Sequence, residues 1–382
     1  MMSSIGKVGW ESPANIALVK YWGKQPNQIP MNPSLSFVLK ESVVRMKLEY
    51  ASNGKDATRL IHFTLNGKPN TGFQNRISTF INTLTPYFSF LRGMELSISS
   101  ESTFPHSAGI ASSAAAFSAL ALNLCSIERE ITGTIDIDCL GVSLDKAFMD
   151  SFNAGRSHGL DTISERHDTD FILKASFIAR LGSGSACRSL QDGFVAWGKS
   201  VLLKGSDDRY AIRVNEDHVD PVFNTLRDAV LIIDDSVKKV SSSAGHALMH
   251  HHAYRQSRIV QAGNNLEQLL LALKTGDETP FFSVIENEAL SLHSLMMSSN
   301  PGYILMKPGS IEALEKICVF RNHHGINLGF TMDAGPNIHL IYFERDSHMV
   351  KKFIKEELAM YCVDNRWIDD GMGKGPVQTI RA

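Results

Sequence analysis

The chain has 382 residues, of which 43% are hydrophobic, and a formal net charge of −2 at pH 7. This length suggests two domains, each large enough to bury its own interior. The near-neutral charge gives no electrostatic case for binding nucleic acid or an anionic membrane, and no apolar run reaches the roughly 18 residues that a spanning helix needs. The five cysteines lack paired spacing, so we expect neither a disulfide framework nor a zinc site, and we expect a cytoplasmic protein.

The first half of the chain predicts a mixture of strands and helices. Strand-like alternation of apolar and polar residues covers 46–50, 60–65 and 94–100. Asn66-Gly67 follows the second of these strands as a turn signal. Helical periodicity covers 73–91, about 138–153, and a segment that ends near Arg180.

The second half repeats this mixture. Strands are predicted at 229–233, 327–332 and 337–343, and helices at about 243–273 and 347–360. Gly276 and Pro280 mark the end of the first of these helices. The pattern predicts a domain boundary near residue 205, giving domains 1–205 and 206–382.

The stretch from Phe104 to Leu124 joins a loop of small residues to a helix that is apolar on nearly every face. The small side chains of Gly109, Ala111 and Ser112 leave the N–H groups of the first helical turn open to an anion, which the helix dipole also attracts. This pattern predicts a phosphate-binding loop. The alternative is a small-residue helix packed tightly against a neighbour. The chain contains no Walker motif and no dinucleotide-binding glycine fingerprint, so neither of those nucleotide-binding classes is predicted.

The segment SPANIALVKYWGK, residues 12–24, is an apolar strand that ends in cationic and aromatic residues. Alternation puts Lys20 and Trp22 on one face and Tyr21 and Gly23 on the other. Lys20 and Lys24 can therefore reach a common cleft only where the strand ends. The alternative is that both lysines are ordinary solvated charges.

The segment IARLGSGSACRSLQDG, residues 178–193, predicts an anion site formed by Ser183, Ser185 and Arg188. Arginine suits this role because its guanidinium can bind two oxygens at once. A flexible Gly/Ser loop is the alternative reading, although the adjoining apolar residues argue against a floppy linker.

Asp333 lies in a Gly-Pro turn between two apolar strands, where a carboxylate is costly unless something uses it. It could orient a substrate hydroxyl and accept its proton, or it could simply form the turn. In the segment at 240–258, Ser241 to Ser243 could cap a helix and bind phosphate. The run His250-His251-His252 predicts no metal site, because consecutive helical residues point about 100° apart.

Together these segments resemble one family, the mevalonate diphosphate decarboxylases, in the superfamily of galactokinase, homoserine kinase, mevalonate kinase and phosphomevalonate kinase. The resemblance covers nearly the whole chain. It rests on SPANIALVKYWGK, NPSLS, QNR, FPHSAGIASSAA, ARLGSGSACRS, VSSSAG and TMDAGPN, in the family's order. It implies an α+β fold of two domains, the N-terminal one like ribosomal protein S5 and the C-terminal one a ferredoxin-like α/β sandwich, with the active site in the cleft between them.

The resemblance also implies roles for individual residues. The substrate's diphosphate and carboxylate are expected to contact Tyr21, Lys24, Arg76, Ser183, Ser185, Arg188 and Ser243, with Trp22, Gly23, Gly184, Ala186, Cys187 and Ser242 beside them. The ATP phosphates are expected at Ser107, Gly109, Ala111, Ser112 and Ser113. Lys20 and Asp333 are expected beside the 3-hydroxyl, and the catalytic set is Asp333, Lys20 and Arg188.

The activity implied is ATP-dependent decarboxylation of mevalonate 5-diphosphate to isopentenyl diphosphate by a homodimer, with Mg²⁺ carried by ATP and not by a dedicated protein site. Several positions depart from the common family pattern, including Gln25-Pro26, Asp192-Gly193, Ser243 and the segment at 292–303. These departures leave open a decarboxylase of phosphomevalonate and a kinase that stops after phosphoryl transfer. An inactive ligand-binding relative is a further alternative.

Overall fold

This computed structural model describes residues 6–54, 57–105, 112–141, 162–236, 240 and 242–381, with the backbone alone for 162–168 and 242. The described strands are β1 (Gly6–Val19), β2 (Ser34–Ser52), β3 (Arg59–Leu65), β4 (Lys68–Pro69), β5 (Met94–Ser102), β6 (Phe194–Trp197), β7 (Ala211–Arg213), β8 (Leu226–Leu231), β9 (Leu328–Thr331), β10 (Ile338–Phe343), β11 (Trp367–Gly371) and β12 (Val377–Ile380). The described α-helices are α1 (Thr71–Thr83), α2 (Ser112–Thr132), α3 (Thr162–Gly182), α4 (Ser242–Leu248), α5 (Arg255–Thr275), α6 (Glu278–Met297), α7 (Pro308–His324) and α8 (Ser347–Phe353). Within these ranges, no helix has the length and apolar character needed to cross a membrane.

The described strands form two sheets. The first runs in the order β12-β1-β2-β5-β3-β4, and β6 pairs with both β2 and β7. The second is antiparallel in the order β11-β8-β10-β9. The two-domain α+β fold predicted from the sequence is confirmed. The boundary near residue 205 stays a prediction, and the first sheet also takes in β7 and the C-terminal β12.

The Asn66-Gly67 turn is confirmed, and its chemistry explains the hairpin. Both residues have positive φ, 50° and 74°, and β3 and β4 pair on either side of them. A two-residue Asn-Gly turn matches the right-handed twist of the flanking strands because both residues tolerate positive φ.

Two of the predicted helices in the first half differ from the structure. Helix α1 ends at Thr83 and not at residue 91. Pro86 explains the early end, because a proline disfavours helical backbone in the residue before it. At residue 138 a single 3-10 turn, Asp138–Leu140, ends at Gly141 with φ 62°, and the rest of that predicted helix lies outside the described residues.

The predicted helix over 243–273 is wrong as one continuous element. Helix α4 ends at Leu248, a 3-10 turn follows, and α5 begins only at Arg255. His252 breaks the helix: its backbone is extended, and its Nδ1 accepts a hydrogen bond of 3.0 Å from the Tyr254 N–H. The predicted helix over 347–360 is helical throughout, but its pitch changes to a π turn after Phe353.

Helix α2 explains how the first domain is held together. Residues 114–128 are all buried, since β1, β2 and α3 pack around the helix. Burying one aliphatic side chain of this kind contributes about 1.5–3 kcal/mol. A separate cluster joins the domains: Ala14 and Ile16 of β1 belong to the same buried cluster as Leu266 of α5 and Phe281 of α6. The end of β1 is therefore fixed against the helices of the second domain.

Candidate active site

A cavity of about 440 Å³ lies where the end of β1 meets the loop between β9 and β10 and the first turns of α2 and α4. Residues from both domains form its wall. Of the predicted site residues, the wall contains Lys20, Tyr21, Trp22, Lys24, Arg76, Ser113, Ser183, Gly184, Ser185, Arg188, Ser243 and Asp333. The cavity wall described here thus has four cationic side chains and one carboxylate.

Lys20 and Asp333 form an ion pair on this wall, with Nζ 3.0 Å from Oδ1. Lys20 is the first residue after β1 and is 2% exposed, whereas the Asp333 side chain is 27% exposed. Burial lowers the pKa of Lys20, and the charges of Asp333 and Glu288 oppose that shift. The His293 Nε2–H donates to the Asp333 carbonyl oxygen at 3.2 Å and so fixes the turn. In this pair the Asp333 carboxylate is partly exposed to the cavity, whereas the Lys20 side chain is buried.

The backbone of Lys20 is held by a buried ion pair from the second domain. Glu288 of α6 accepts the Lys20 N–H at 2.7 Å, and Arg258 of α5 donates to the Lys20 carbonyl oxygen at 2.8 Å. Arg258 and Glu288 also bind each other through two hydrogen bonds of 2.6 and 2.7 Å. Asn265 donates to Glu288 at 2.6 Å, and Asn32 donates to the Lys20 carbonyl at 2.9 Å. This network fixes where the Lys20 ammonium lies.

We expect Glu288→Gln to lower kcat and to move the alkaline limb of the kcat–pH profile to lower pH. The Glu288 charge raises the pKa of Lys20, so its removal lowers that pKa further and the ammonium is lost at a lower pH. The melting temperature should also fall, because removing one partner of a buried ion pair costs about 3–5 kcal/mol. The matched control is Glu267→Gln, an exposed glutamate of α5. If the alkaline limb does not move in folded Glu288→Gln, the Glu288 charge does not set the protonation of Lys20 during catalysis.

Arg188 is a fully buried cation on the 3-10 helix Gly184–Ser189. Its Nη1 donates to Ser34 Oγ at 2.5 Å, and its Nε lies 3.4 Å from Asn15 Oδ1. No carboxylate of the described residues lies within 4 Å of it. Burial lowers the pKa of Arg188, yet an arginine stays protonated in proteins. A buried guanidinium without a carboxylate partner is suited to an anionic ligand.

The aromatic wall of the cavity consists of Tyr21, Trp22 and His246. The His246 ring lies 4.3 Å from the Tyr21 ring and 4.5 Å from the Trp22 ring, between centroids. Tyr21 also meets Trp197 edge-on at 4.7 Å. Burial raises the pKa of Tyr21, so its hydroxyl stays protonated, and this hydroxyl is buried without a hydrogen-bond partner among the described residues.

Gly184 is required beside this wall. A Cβ on Gly184 would lie 2.9 Å from both the Tyr21 hydroxyl and the Trp197 ring, closer than real Cβ contacts. Glycine therefore permits the Tyr21 hydroxyl to lie against the loop backbone. In the same loop the Ser183 and Ser113 hydroxyl oxygens are 3.2 Å apart, which joins the start of α2 to the cavity.

Lys24, Arg76 and Ser243 form the more exposed end of the cavity, in contrast to the buried Lys20 and Arg188. Lys24 Nζ donates to Gln28 Oε1 at 2.9 Å and lies 3.5 Å from Ser243 Oγ. The Arg76 guanidinium lies 4.8 Å from the centre of the Phe117 ring, a cation–π geometry. Burial lowers the pKa of both cations, and Arg76 lowers that of Lys24 further. Like charges brought together in this way favour a multiply charged anion.

We expect the affinity for an anionic substrate to fall as pH rises toward 10, at a lower pH than an ordinary lysine would give. The lowered pKa of Lys24 means that its ammonium is lost below its usual range, and the neutral amine attracts the anion less. Substrate KM should therefore rise at a pH below the range in which an ordinary lysine titrates. Lys24→Arg should shift that rise to higher pH, and Lys40→Arg, an exposed lysine, should leave it in place. Equal profiles for all three proteins would contradict the role of Lys24.

Some predicted residues lie off the cavity wall. Ala186 and Cys187 are fully buried in core clusters, and the Ala186 N–H donates to the Ser183 carbonyl at 2.8 Å. Gly23 and Ser112 also lie outside the wall, and Gly23 has φ 92° and donates its N–H to His246 Nδ1 at 2.9 Å. Ser107, Gly109, Ala111 and the Ser242 side chain lie outside the described residues.

Several functional positions are absent from the sequence predictions. They are Asn15, Gln28, His246 and Leu292 on the wall, with Arg258 and Glu288 behind it. His250 and His251 are exposed, and His252 is buried with Nε2 3.0 Å from the Leu295 carbonyl oxygen. No group of three or more His, Cys, Asp or Glu in the described part of the chain could hold a metal ion.

Two family models match this chain. The diphosphomevalonate decarboxylase-like N-terminal domain matches residues 12–136 and 162–210, and the mevalonate 5-diphosphate decarboxylase C-terminal domain matches 229–371. The chain belongs to the diphosphomevalonate decarboxylase family. The family predicted from the motifs is therefore confirmed, and these models cover most of both domains.

Individual relatives agree with the family. The chain is 27% identical to the diphosphomevalonate decarboxylase of Eremothecium gossypii over 93% of this chain and 82% of that protein. It is 28% identical to the Aspergillus fumigatus enzyme over 91% of this chain and 80% of that protein. Among solved structures, MDDEF in complex with MVAPP, AMPPCP and magnesium matches with a TM-score of 0.73 and 25% identity, covering 98% of this chain and 99% of that chain. The mevalonate diphosphate decarboxylase of Staphylococcus aureus matches in fold with a TM-score of 0.74 and 23% identity over 98% of each chain.

Proposed function

We propose that this protein is an ATP-dependent diphosphomevalonate decarboxylase, a carboxy-lyase that converts mevalonate 5-diphosphate to isopentenyl diphosphate with release of ADP, phosphate and CO₂. The observation that carries the proposal is the Lys20–Asp333 pair on the wall of a cavity that also holds Lys24, Arg76 and Arg188. A carboxylate that can accept a proton lies there among cations that can bind a polyanion. Membership of the family supports the same activity.

The chemistry requires a hydroxyl to become a leaving group. Asp333 orients the tertiary 3-hydroxyl and takes its proton as the oxygen attacks the γ-phosphorus of ATP. The phosphate then leaves C3, and loss of CO₂ from the substrate's carboxylate supplies the electron pair of the new C=C bond. Lys20 stabilises the negative charge that develops on oxygen, because its buried ammonium lies 3.0 Å from the Asp333 carboxylate, which orients that oxygen.

In this proposal, different cationic groups bind different ends of the substrate. Arg188, a buried guanidinium with no carboxylate partner among the described residues, binds the substrate's carboxylate. Lys24, Ser243 and Arg76 bind the 5-diphosphate at the more exposed end, and the Tyr21 hydroxyl supplies a further donor to the substrate. Ser183 and Ser185 also line the cavity.

The ATP phosphates are proposed to bind at the first turn of α2. Ser113 Oγ faces the cavity beside Ser183 Oγ, and a helix start of this kind attracts phosphate. Mg²⁺ bound with ATP would neutralise negative charge that develops on the phosphate oxygens. We propose that it arrives with ATP, with no dedicated protein site.

One assay tests the activity and the open alternatives together. The protein is incubated with ATP, Mg²⁺ and each of mevalonate, its 5-phosphate and its 5-diphosphate, and ADP and CO₂ are measured in the same samples. We expect equimolar ADP and CO₂ with the 5-diphosphate alone. ADP without CO₂ would favour a kinase, and CO₂ with the 5-phosphate would favour a phosphomevalonate decarboxylase.

Two further proposals concern the state of the protein in the cell. The resemblance supports a homodimer, which sedimentation velocity tests directly through the mass of the particle. The composition and the scattered cysteines support a cytoplasmic location, which cell fractionation tests.

A further inference from the structure

The feature that carries a further inference is His246, on the first turns of α4. The residue is 7% exposed, and its ring centroid lies 4.3 Å from that of Tyr21 and 4.5 Å from that of Trp22. A Cβ on the neighbouring Gly245 would lie 2.6 Å from the Trp22 ring, so glycine lets α4 approach the aromatic wall. The imidazole is thus packed against two aromatic rings.

One ring nitrogen of His246 is occupied by the protein. Nδ1 accepts a hydrogen bond of 2.9 Å from the Gly23 N–H, in the turn that follows β1. An accepting Nδ1 carries no proton, so the neutral imidazole must carry its proton on Nε2. The Gly23 turn therefore selects the tautomer.

The other ring nitrogen is left for a ligand. Nε2 has no hydrogen-bond partner among the residues that the structure describes. The residue itself lines the cavity together with Lys24 and Ser243. An N–H donor on a cavity wall beside an ammonium and a hydroxyl completes a three-donor surface for phosphate oxygens.

The His246 imidazole adds no charge to the cavity at neutral pH. Burial, and then the charge of Lys24, lowers the pKa of His246 to about 3. Lys24, Arg76 and the Tyr21 hydroxyl are the other titratable groups at this end of the cavity. A neutral donor binds phosphate here without adding to the repulsion between the two cations.

We infer that His246 donates a hydrogen bond through Nε2–H to a phosphate oxygen at the 5-end of the substrate and so helps to set the affinity for the diphosphate. This inference rests on the proposed function. The competing account is purely structural: His246 would serve only as the acceptor that holds the Gly23 turn.

Two substitutions distinguish these accounts, because each keeps the hydrogen-bonding function of one ring nitrogen and removes that of the other. The amide oxygen of His246→Asn replaces Nδ1 and can accept the Gly23 N–H, but no group replaces Nε2. The amide nitrogen of His246→Gln reaches the position of Nε2 and can donate, but the acceptor for Gly23 is lost. His250→Asn, an exposed histidine at the end of the same helical segment, is the matched control.

We expect His246→Asn to weaken binding of mevalonate 5-diphosphate about 10- to 100-fold, since a hydrogen bond to a charged group contributes about 1.5–3 kcal/mol. His246→Gln should recover at least half of that loss on a logarithmic scale. The Kd of an ATP analogue and the melting temperature should change little in His246→Asn. Unchanged substrate affinity in His246→Asn, or a loss as large in His246→Gln, would overturn the inference in favour of the structural account.

The wild-type protein gives an independent measurement that does not depend on folding of a variant. In protein labelled with ¹⁵N-histidine, a proton-bearing Nε2 signal that His246→Gln lacks should move downfield when the 5-diphosphate binds. A signal that stays in place at saturation would also overturn the inference. If the wild-type protein releases no CO₂ from the 5-diphosphate, the proposed function fails, whereas an active wild-type with an unmoved signal fails this inference alone.

Discussion

Asp333→Asn should lose both ADP and CO₂ formation by about 10²–10⁴-fold, the range of general base catalysis. The amide has nearly the shape of the carboxylate and can still accept a hydrogen bond from Lys20 Nζ, but it cannot take the proton of the 3-hydroxyl. Both products should fall together, because phosphoryl transfer precedes decarboxylation in the proposed mechanism. Product assays with ATP and the 5-diphosphate at saturation measure this directly.

Substrate binding in Asp333→Asn is the informative companion measurement. Removing the only carboxylate among the wall residues described above should leave the affinity for the anionic substrate unchanged or raise it, since the four cations remain. The control is Asp364→Asn, an exposed aspartate at φ 52°, a conformation that asparagine also tolerates. More than about a tenth of the wild-type rate in Asp333→Asn would show that Asp333 is not the base.

The parts of the site that follow from local sequence could be predicted. Asp333 stands between two apolar runs that must be strands, and the Gly-Pro pair beside it forces a turn. Lys20 follows the apolar run at 16–19 that ends β1, so its side chain lies at a strand end in any arrangement of the domains. In both cases a few neighbouring residues determine the local geometry.

The residues that hold Lys20 could not be predicted in this way. Arg258 and Glu288 lie on separate helices, 238 and 268 positions from Lys20 along the chain. Their own segments look like ordinary amphipathic helices, in which Arg258 and Glu288 are charged residues among several. Only the packing of α5 and α6 on the end of β1 makes these charges buried partners of the Lys20 backbone.

His246 was missed because a stronger pattern lies beside it. The run at 250–252 draws attention as a possible metal site, whereas a single histidine in VSSSAGHALM carries no periodic signal. Its environment comes from Tyr21 and Trp22, more than 200 positions away in the chain. The strands β11 and β12 were missed for a similar reason, since they are short and owe their conformation to their partners β8 and β1.

Arg188→Lys is expected to lower kcat/KM for the 5-diphosphate about 10- to 100-fold although the positive charge is kept. The ammonium is a single point of donation, whereas the guanidinium donates to Ser34 and lies against Asn15 while still presenting nitrogen atoms to a ligand. Arg59→Lys, an exposed arginine, is the matched control and should match the wild-type protein.

The ratio of products in Arg188→Lys tests which end of the substrate this arginine binds. If Arg188 holds the carboxylate, phosphoryl transfer at C3 still proceeds, but the carboxylate is no longer aligned for loss of CO₂. ADP should then exceed CO₂ in the first turnovers, and a phosphorylated intermediate should accumulate. If Arg188 binds the diphosphate instead, KM rises while ADP and CO₂ stay equimolar, because the chemistry at C3 is unaffected once the substrate is bound. Equal kinetics in variant and wild-type would assign the buried guanidinium to packing against Ser34 and Asn15 alone.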